Sequence, residues 1–217
     1  MLRLFGIKNA QFNDEGLFAE KLALLDGERR ARVNALALRE KKNSCLAAGL
    51  IVPLALKKCG YSGDVVTATG QWGKPFLVKP AGVFYNVSHS GDWTVIALSD
   101  GEVGCDIQQV KPVDLRLAGR FFTAEESRAI AAAGGKSQEL FYRYWVVKES
   151  YLKAVGVGLN RALNSFSARF TAGGVKVCDG EGDGGWLVSE IDCAEGYKLA
   201  CCAREYAPDC GVEELKI

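Results

Sequence analysis

An α+β fold with largely antiparallel strands is what this 217-residue chain predicts. Three observations point to it. Strand-like apolar runs follow one another across short Gly/Asp turns, which suit antiparallel neighbours better than parallel crossovers. Helical periodicity is confined to a few segments lying between groups of such runs. No apolar run approaches the ~20 residues that a membrane span needs. A chain of this length can bury a sizeable core as one compact domain or as two closely fused halves.

Taken in order, residues 1–8 read as a first strand, without the long apolar stretch and small-residue cleavage site of a signal peptide. Residues 28–50 read as one helix, with Val33, Leu36, Leu46 and Leu50 in its core stripe, weakened or kinked at Gly49 and Pro53. Residues 61–78 hold short strand pieces broken by Gly63, Gly70 and Gly73-Lys74-Pro75. Strands over 83–87 and 93–98 flank turn chemistry at Ser88-His89-Ser90-Gly91-Asp92. Asp100-Gly101 turns the chain into a strand over 103–110. Thr123-Ala124-Glu125-Glu126 is a capping box, in which hydroxyl and carboxylate answer orphan amides at a helix start. A longer helix spans 137–155 and ends at Gly156 and Gly158. Strands near 165–170, 175–178, 186–191 and 197–203 complete the chain.

Charge is nearly balanced, 27 Lys+Arg against 26 Asp+Glu, which argues against a nucleic-acid partner. The balance is a sum over unlike parts. Residues 29–58 carry eight bases and the single acid Glu40, whereas residues 177–217 carry ten acids and three bases. A basic helix is either a solvated face or an anion site, and composition does not choose between them. The eight cysteines form no Cys-x-x-Cys pair and the one histidine is His89, so a Cys₂His₂ zinc site is excluded. With no export signal, reduced cytosolic thiols are expected.

The helix over 141–153 is the most informative segment. Phe141, Tyr144, Tyr151 and Val155 make an apolar seam with Lys148 in its middle, while Glu149 lies on its edge and Lys153 one turn further on. Unpaired burial of either charge would be expensive, so Lys148 and Glu149 are expected to face a polar cavity or a metal. On the strand over 103–110, Asp106 and Gln108 share one side and Cys105 and Ile107 the other. An Asp from a strand and a Glu from a helix are the hard oxygen ligands that Mg²⁺ uses beside phosphates. His89, between Ser88 and Ser90, is either a structural hydrogen-bonder or a phosphate donor.

In order and spacing, these pieces resemble the Sfp-type 4′-phosphopantetheinyl transferases. The matching segments are Gly73-Lys74-Pro75, the run 84–91 (FYNVSHSG), Gly104-Cys105-Asp106-Ile107-Gln108, the run 121–126 (FFTAEE) and the run 145–154 (WVVKESYLKA), followed by Gly156-Val157-Gly158-Leu159. The resemblance covers nearly the whole chain and implies two similar α+β halves related by a pseudo-twofold axis, 1–103 and 104–217, with coenzyme A between them. It implies transfer of the phosphopantetheine arm from coenzyme A to a serine of an apo acyl or peptidyl carrier protein, releasing adenosine 3′,5′-bisphosphate. Asp106, Glu149 and Gln108 would hold Mg²⁺. Glu149 or a metal-bound water would take the serine proton, and Lys153 would stabilise the leaving group. Arg29, Arg32, Lys74, Ser88, His89, Lys148 and Lys153 would contact coenzyme A, with His89 also placed among the catalytic residues. The expected state is a cytoplasmic monomer that binds neither nucleic acid nor membrane.

Two departures from the family pattern are visible. Gln108 stands where an acid is common, and Ser44-Cys45 stands where Arg-Thr is usual, leaving Arg39, Lys41 or Lys42 to supply the missing cation. They motivate an alternative reading, a coenzyme A-binding module of the same fold with weakened or lost catalysis.

Overall fold

The computed structural model describes residues 1–172, 174–180, 185–204 and 211–217. Cys210 and the acids Glu181, Asp183, Glu205 and Asp209 of the acidic segment lie outside the described residues. The chain runs through the same plan twice. Strand β1 (Leu2–Lys8) leads into helices α1 (Glu15–Ala23), α2 (Gly27–Ala35) and α3 (Arg39–Lys58). A two-stranded hairpin, β2 (Val66–Thr69) with β3 (Pro75–Lys79), precedes β4 (Phe84–Ser90) and β5 (Trp93–Ser99). The second pass starts at β6 (Val103–Gln109) and continues through α4 (Ala118–Phe121), α5 (Ala124–Ala132) and α6 (Ser137–Val155). It then adds β7 (Ser167–Thr171), β8 (Gly174–Cys178), β9 (Leu187–Glu190) and β10 (Tyr197–Ala203). In each pass the first strand pairs antiparallel with the last, β1 with β5 and β6 with β10, after a long helix between them. The final strand β11 (Val212–Glu214) returns to pair parallel with β1, giving sheet orders β11-β1-β5-β4 and β6-β10-β9-β8-β7.

The layers follow from which side chains each strand buries. Phe5, Ile7, Ile96 and Leu98 face Leu46, Ile51 and Ala55 of α3. Leu4, Val95 and Ala97 on the opposite face meet Cys105, Ile107, Leu199 and Cys201 of the second sheet. Ala200 and Cys202 on that sheet's far face pack with Val147, Tyr151 and Ala154 of α6. The order is therefore helix, sheet, sheet, helix. A strand covered on both faces reads as a continuous apolar run, as β5 does.

Two local expectations need correction. The helix expected over 28–50 is two helices, because Leu36 and Leu38 hold extended backbone between Ala35 and Arg39. Arg39 anchors the restart: it donates to the Phe12 carbonyl, Asn43 and Glu15 and stacks on Phe18. Gly49 and Pro53 do not end α3, which runs on to Lys58. A Cβ at Gly49 would come within 2.7 Å of the Arg29 side chain and 2.8 Å of Leu25, so this glycine marks a close crossing rather than a weak point. The turn expected over 88–92 is shorter than its sequence suggests. Ser88, His89 and Ser90 belong to β4, paired with Val95, Thr94 and Trp93, and only Gly91-Asp92 forms the loop.

The capping box at Thr123 is present in full, and Gly156 closes α6 in left-handed backbone at φ 83°. Gly104 has the larger consequence. A Cβ there would collide with the Ser150 carbonyl oxygen and the Ala154 amide nitrogen, so its absence lets α6 lie directly on β6. That contact brings the side chains of α6 down to those of β6. Gly104→Ala is accordingly expected to destabilise the fold by about 1–3 kcal/mol through overpacking, read as a lower denaturant midpoint at unchanged m-value.

Candidate active site

The edge of the first sheet, β4, runs beside the edge of the second, β6, and the site lies along this seam. Asp106 of β6 is 2 % exposed. Its Oδ1 accepts from Lys153 Nζ at 2.5 Å and from Ser88 Oγ at 2.8 Å, and its Oδ2 accepts from Gln108 Nε2 at 3.1 Å. Lys153 Nζ also donates to the Cys105 carbonyl and to Ser88 Oγ, each at 3.1 Å. Burial opposes the Lys153 charge, but the Asp106 carboxylate together with Cys105 and Glu149 outweighs it and holds the ammonium above the ordinary lysine range.

The Glu149 carboxylate, one turn before Lys153, makes no hydrogen bond to another described residue. Burial raises its pKa and the Asp106 charge adds to the rise, against the pull of Lys153. Residues four apart on a helix can pair along its face. Lys153 instead reaches across to the strand, leaving Glu149 as a half-buried carboxylate with raised proton affinity.

His89 sits at the exposed edge of the same seam. Partial desolvation, then Lys153, then Lys41 press its pKa below the ordinary imidazole value, with Asp106 opposing. Lys41 of α3, one of three cations weighed as substitutes from the sequence, therefore bears electrostatically on His89. Arg39, another of the three, is consumed by its anchoring contacts. Arg29, half-buried on α2, extends its field to Tyr85, which shares a face of β4 with His89. Arg32 is exposed on the same helix. Ser44 turns its hydroxyl back to the Lys41 carbonyl at 3.1 Å, and Cys45 packs half-buried against the first core.

Other expected ligand contacts have different roles. Lys148 is fully buried, with its Nζ 2.6 and 2.5 Å from the two Glu126 oxygens and 2.7 Å from the Phe166 carbonyl. It is a core ion pair, not the open contact expected, because a closed set of acceptors already satisfies its protons. Glu126, the acid of the capping box, also accepts from the amides of Thr123 and Ala168. Ser88 is buried and its hydroxyl is saturated: it donates to Asp106 and accepts from Ile107 N and Lys153. No valence remains for the phosphate contact expected of it. Lys74 Nζ is held by Glu102 and the Ala154 carbonyl, each at 2.9 Å, so a phosphate would have to displace Glu102.

Among the described residues no three His, Cys, Asp or Glu side chains converge on a metal position. The donor chemistry still suits a hard divalent cation. The Asp106 and Glu149 carboxylates are close enough to raise proton affinity at Glu149, and Asp106 Oδ2 has only the Gln108 amide upon it. In this arrangement Gln108 offers Asp106 its nitrogen, and its oxygen accepts from Ser90 at 3.4 Å.

A carboxylate pair, a lysine and a histidine thus lie together along the junction of the two sheets, a set whose chemistry suits an anionic group. Residues 102–202 match the profile of the 4′-phosphopantetheinyl transferase superfamily. A 4′-phosphopantetheinyl transferase of Bacillus pumilus is 36% identical over 156 residues, 70% of this chain and 66% of that protein. One from Bacillus subtilis is 29% identical over 221 residues, covering 99% of this chain and 97% of the relative. A putative member from Synechocystis is 35% identical over 70% of this chain and 65% of its own length. The chain belongs to the 4′-phosphopantetheinyl transferase superfamily, and its relatives place it with the Sfp-type members.

Two outcomes test this geometry. Lys148→Ala leaves Glu126 buried without its cation and is expected to cost roughly 3–5 kcal/mol in chemical denaturation, with Lys148→Met/Glu126→Gln losing less. For His89, the folded pKa lies below the ordinary 6.5, so between the two values the unfolded chain binds more protons. The contribution of His89 to stability therefore falls as pH drops below 6.5. Its ring should titrate below 6.5 by NMR, and Lys41→Ala should move the midpoint upward.

Proposed function

We propose that the seam between β4, β6 and α6 is where this 4′-phosphopantetheinyl transferase moves the phosphopantetheine arm of coenzyme A to a serine of an apo acyl or peptidyl carrier protein. The observation that carries this reading is the Asp106–Lys153 contact beside a Glu149 whose proton affinity is raised. Lys41 and Lys153 form a cationic edge for the pyrophosphate, beside which the neutral His89 ring can donate an N–H, with Arg29 and Arg32 available to the more distant phosphate. The halves 1–103 and 104–217 would receive coenzyme A between them.

Glu149 takes the proton of the carrier serine as its oxygen bonds to the phosphorus bearing the pantetheine arm. The bond from that phosphorus to the bridging oxygen breaks, and adenosine 3′,5′-bisphosphate departs with the electron pair. Lys153 balances the charge gathering on the leaving group, while Asp106 holds the ammonium in place. Mg²⁺, for which Asp106 and Glu149 are the fitting carboxylates, would supply charge neutralisation at the pyrophosphate when bound. Gln108 is kept as a candidate third oxygen only if its amide turns over.

Among the described residues no helix is long and apolar enough to cross a membrane. We place the enzyme in the cytoplasm as a monomer, where its thiols at residues 45, 59, 105, 178, 193, 201 and 202 would stay reduced.

The binding-module alternative is favoured by one observation, the three donors already occupying Asp106. A panel of apo carriers incubated with coenzyme A and Mg²⁺ separates the two. The transferase adds the mass of one phosphopantetheine arm to a carrier; coenzyme A binding without any mass shift supports the module. Glu149→Gln should lower kcat by on the order of 10²–10⁴ through loss of the base. Wild-type turnover in that variant would assign the proton to another group.

A further inference from the structure

We propose that Asn86, Ser88 and Ser90 are positioning residues, forming a side-chain ladder that joins β4 to β6 and fixes the Asp106 carboxylate toward Lys153. The catalytic half of this statement rests on the transferase reading above; the structural half does not.

The seam presents a hydrogen-bonding problem. In a strand, successive amides point to opposite edges, so β6 pairs with β10 on one side and turns every second N–H outward. The outward amides are those of Cys105, Ile107 and Gln109. Buried and unpaired, each would cost about 1–3 kcal/mol. The neighbouring edge strand is β4, yet among the described residues no backbone hydrogen bond connects the two.

The partners are instead three short side chains two residues apart on one face of β4. Asn86 Oδ1 accepts from Cys105 N at 2.9 Å, Ser88 Oγ from Ile107 N at 3.3 Å, and Ser90 Oγ from Gln109 N at 3.0 Å. Alternation along β4 places His89 on the other face, with Val87 and Tyr85. Ser88 and His89 are therefore neighbours in sequence with different tasks.

The ladder also reaches the acid. The amides bolted to Asn86 and Ser88 are those on either side of Asp106. Ser88 spends its one proton on Asp106 Oδ1. Ser90 donates to Gln108 Oε1 at 3.4 Å, which turns the Gln108 nitrogen toward Asp106 Oδ2 at 3.1 Å. Both oxygens of Asp106 are thus oriented from β4, one directly and one through Gln108. Where the family commonly has an acid, this chain has an amide that the serine can aim. Gln108 acts here as part of the positioning set.

The test uses the full chain carrying Ser88→Ala, Ser88→Thr or Ser90→Ala. Amide hydrogen exchange by NMR reads the ladder itself: Ile107 N–H in Ser88→Ala and Gln109 N–H in Ser90→Ala should exchange on the order of tenfold faster than in wild type. Unchanged exchange at both would refute the ladder whatever the enzyme does. Kinetics with coenzyme A and an apo carrier read the positioning role. Ser88→Ala should lower kcat on the order of tenfold, with the KM for coenzyme A held within about twofold and Ser88→Thr recovering most of the loss. A rise in KM with kcat retained would overturn the proposal and make Ser88 a ligand contact. If Ser88→Ala does not fold, Ser90→Ala decides by the same split. A wild-type chain that transfers nothing refutes the transferase reading, and the exchange arm still decides the ladder.

Discussion

The Asp106–Lys153 ion pair is the contact on which the arrangement of this protein turns. It links a strand to a helix across 47 residues of chain, at the junction of two sheets. Burying a carboxylate and an ammonium is costly, and the attraction repays that cost only when the remaining lone pairs and protons are satisfied. Here the Cys105 carbonyl, Ser88 and Gln108 satisfy them. The pair exists because Gly104 lets the α6 backbone lie on β6, which an alanine would prevent. The other ionisable groups of the seam, Glu149 and His89, feel the charges of that pair.

Helix α6 carries two lysines five residues apart, and they do different things. Lys148 points into the second core, where Glu126 and the Phe166 carbonyl enclose it completely. Lys153 points to the seam, where part of its side chain stays accessible at 25 %. The first ties α5, α6 and the start of β7 together through Glu126, whose carboxylate also closes the capping box. The second is left with solvent on one side and can meet an anion. A helix turns 100° per residue, so five positions amount to 140°, enough to move a lysine from the core face to the seam. One lysine holds the helix in the core, and the other stands at the seam.

Local signals were legible wherever the physics was local. The strand at the start of the chain, the Thr123 capping box and the Gly156 stop depend on residues within a few positions of one another, and the structure has each of them. The break at residues 36–38 was not legible, because what restarts α3 is Arg39 reaching back to Phe12 and Glu15. Ser88-His89-Ser90 looked like a turn because its composition is that of turns. Its serines are strand residues whose hydroxyls replace missing backbone partners on β6. A residue that is polar and buried sends the same compositional signal as one that is polar and exposed.

What the amino-acid order determined by itself was the alternation of strands and helices, the caps and stops, and a set of motifs whose sequence and spacing mark the superfamily. These are matters of neighbours along the chain. Which lysine is enclosed in the core and which reaches the seam, that Ser88 is saturated by Asp106, Ile107 and Lys153, and that Lys41 bears electrostatically on His89 were decided only by the tertiary structure. The reason is that a polar side chain's role is set by the partners that remain to it after folding. Those partners lie on other elements, tens of residues away, and only packing determines which of them arrive.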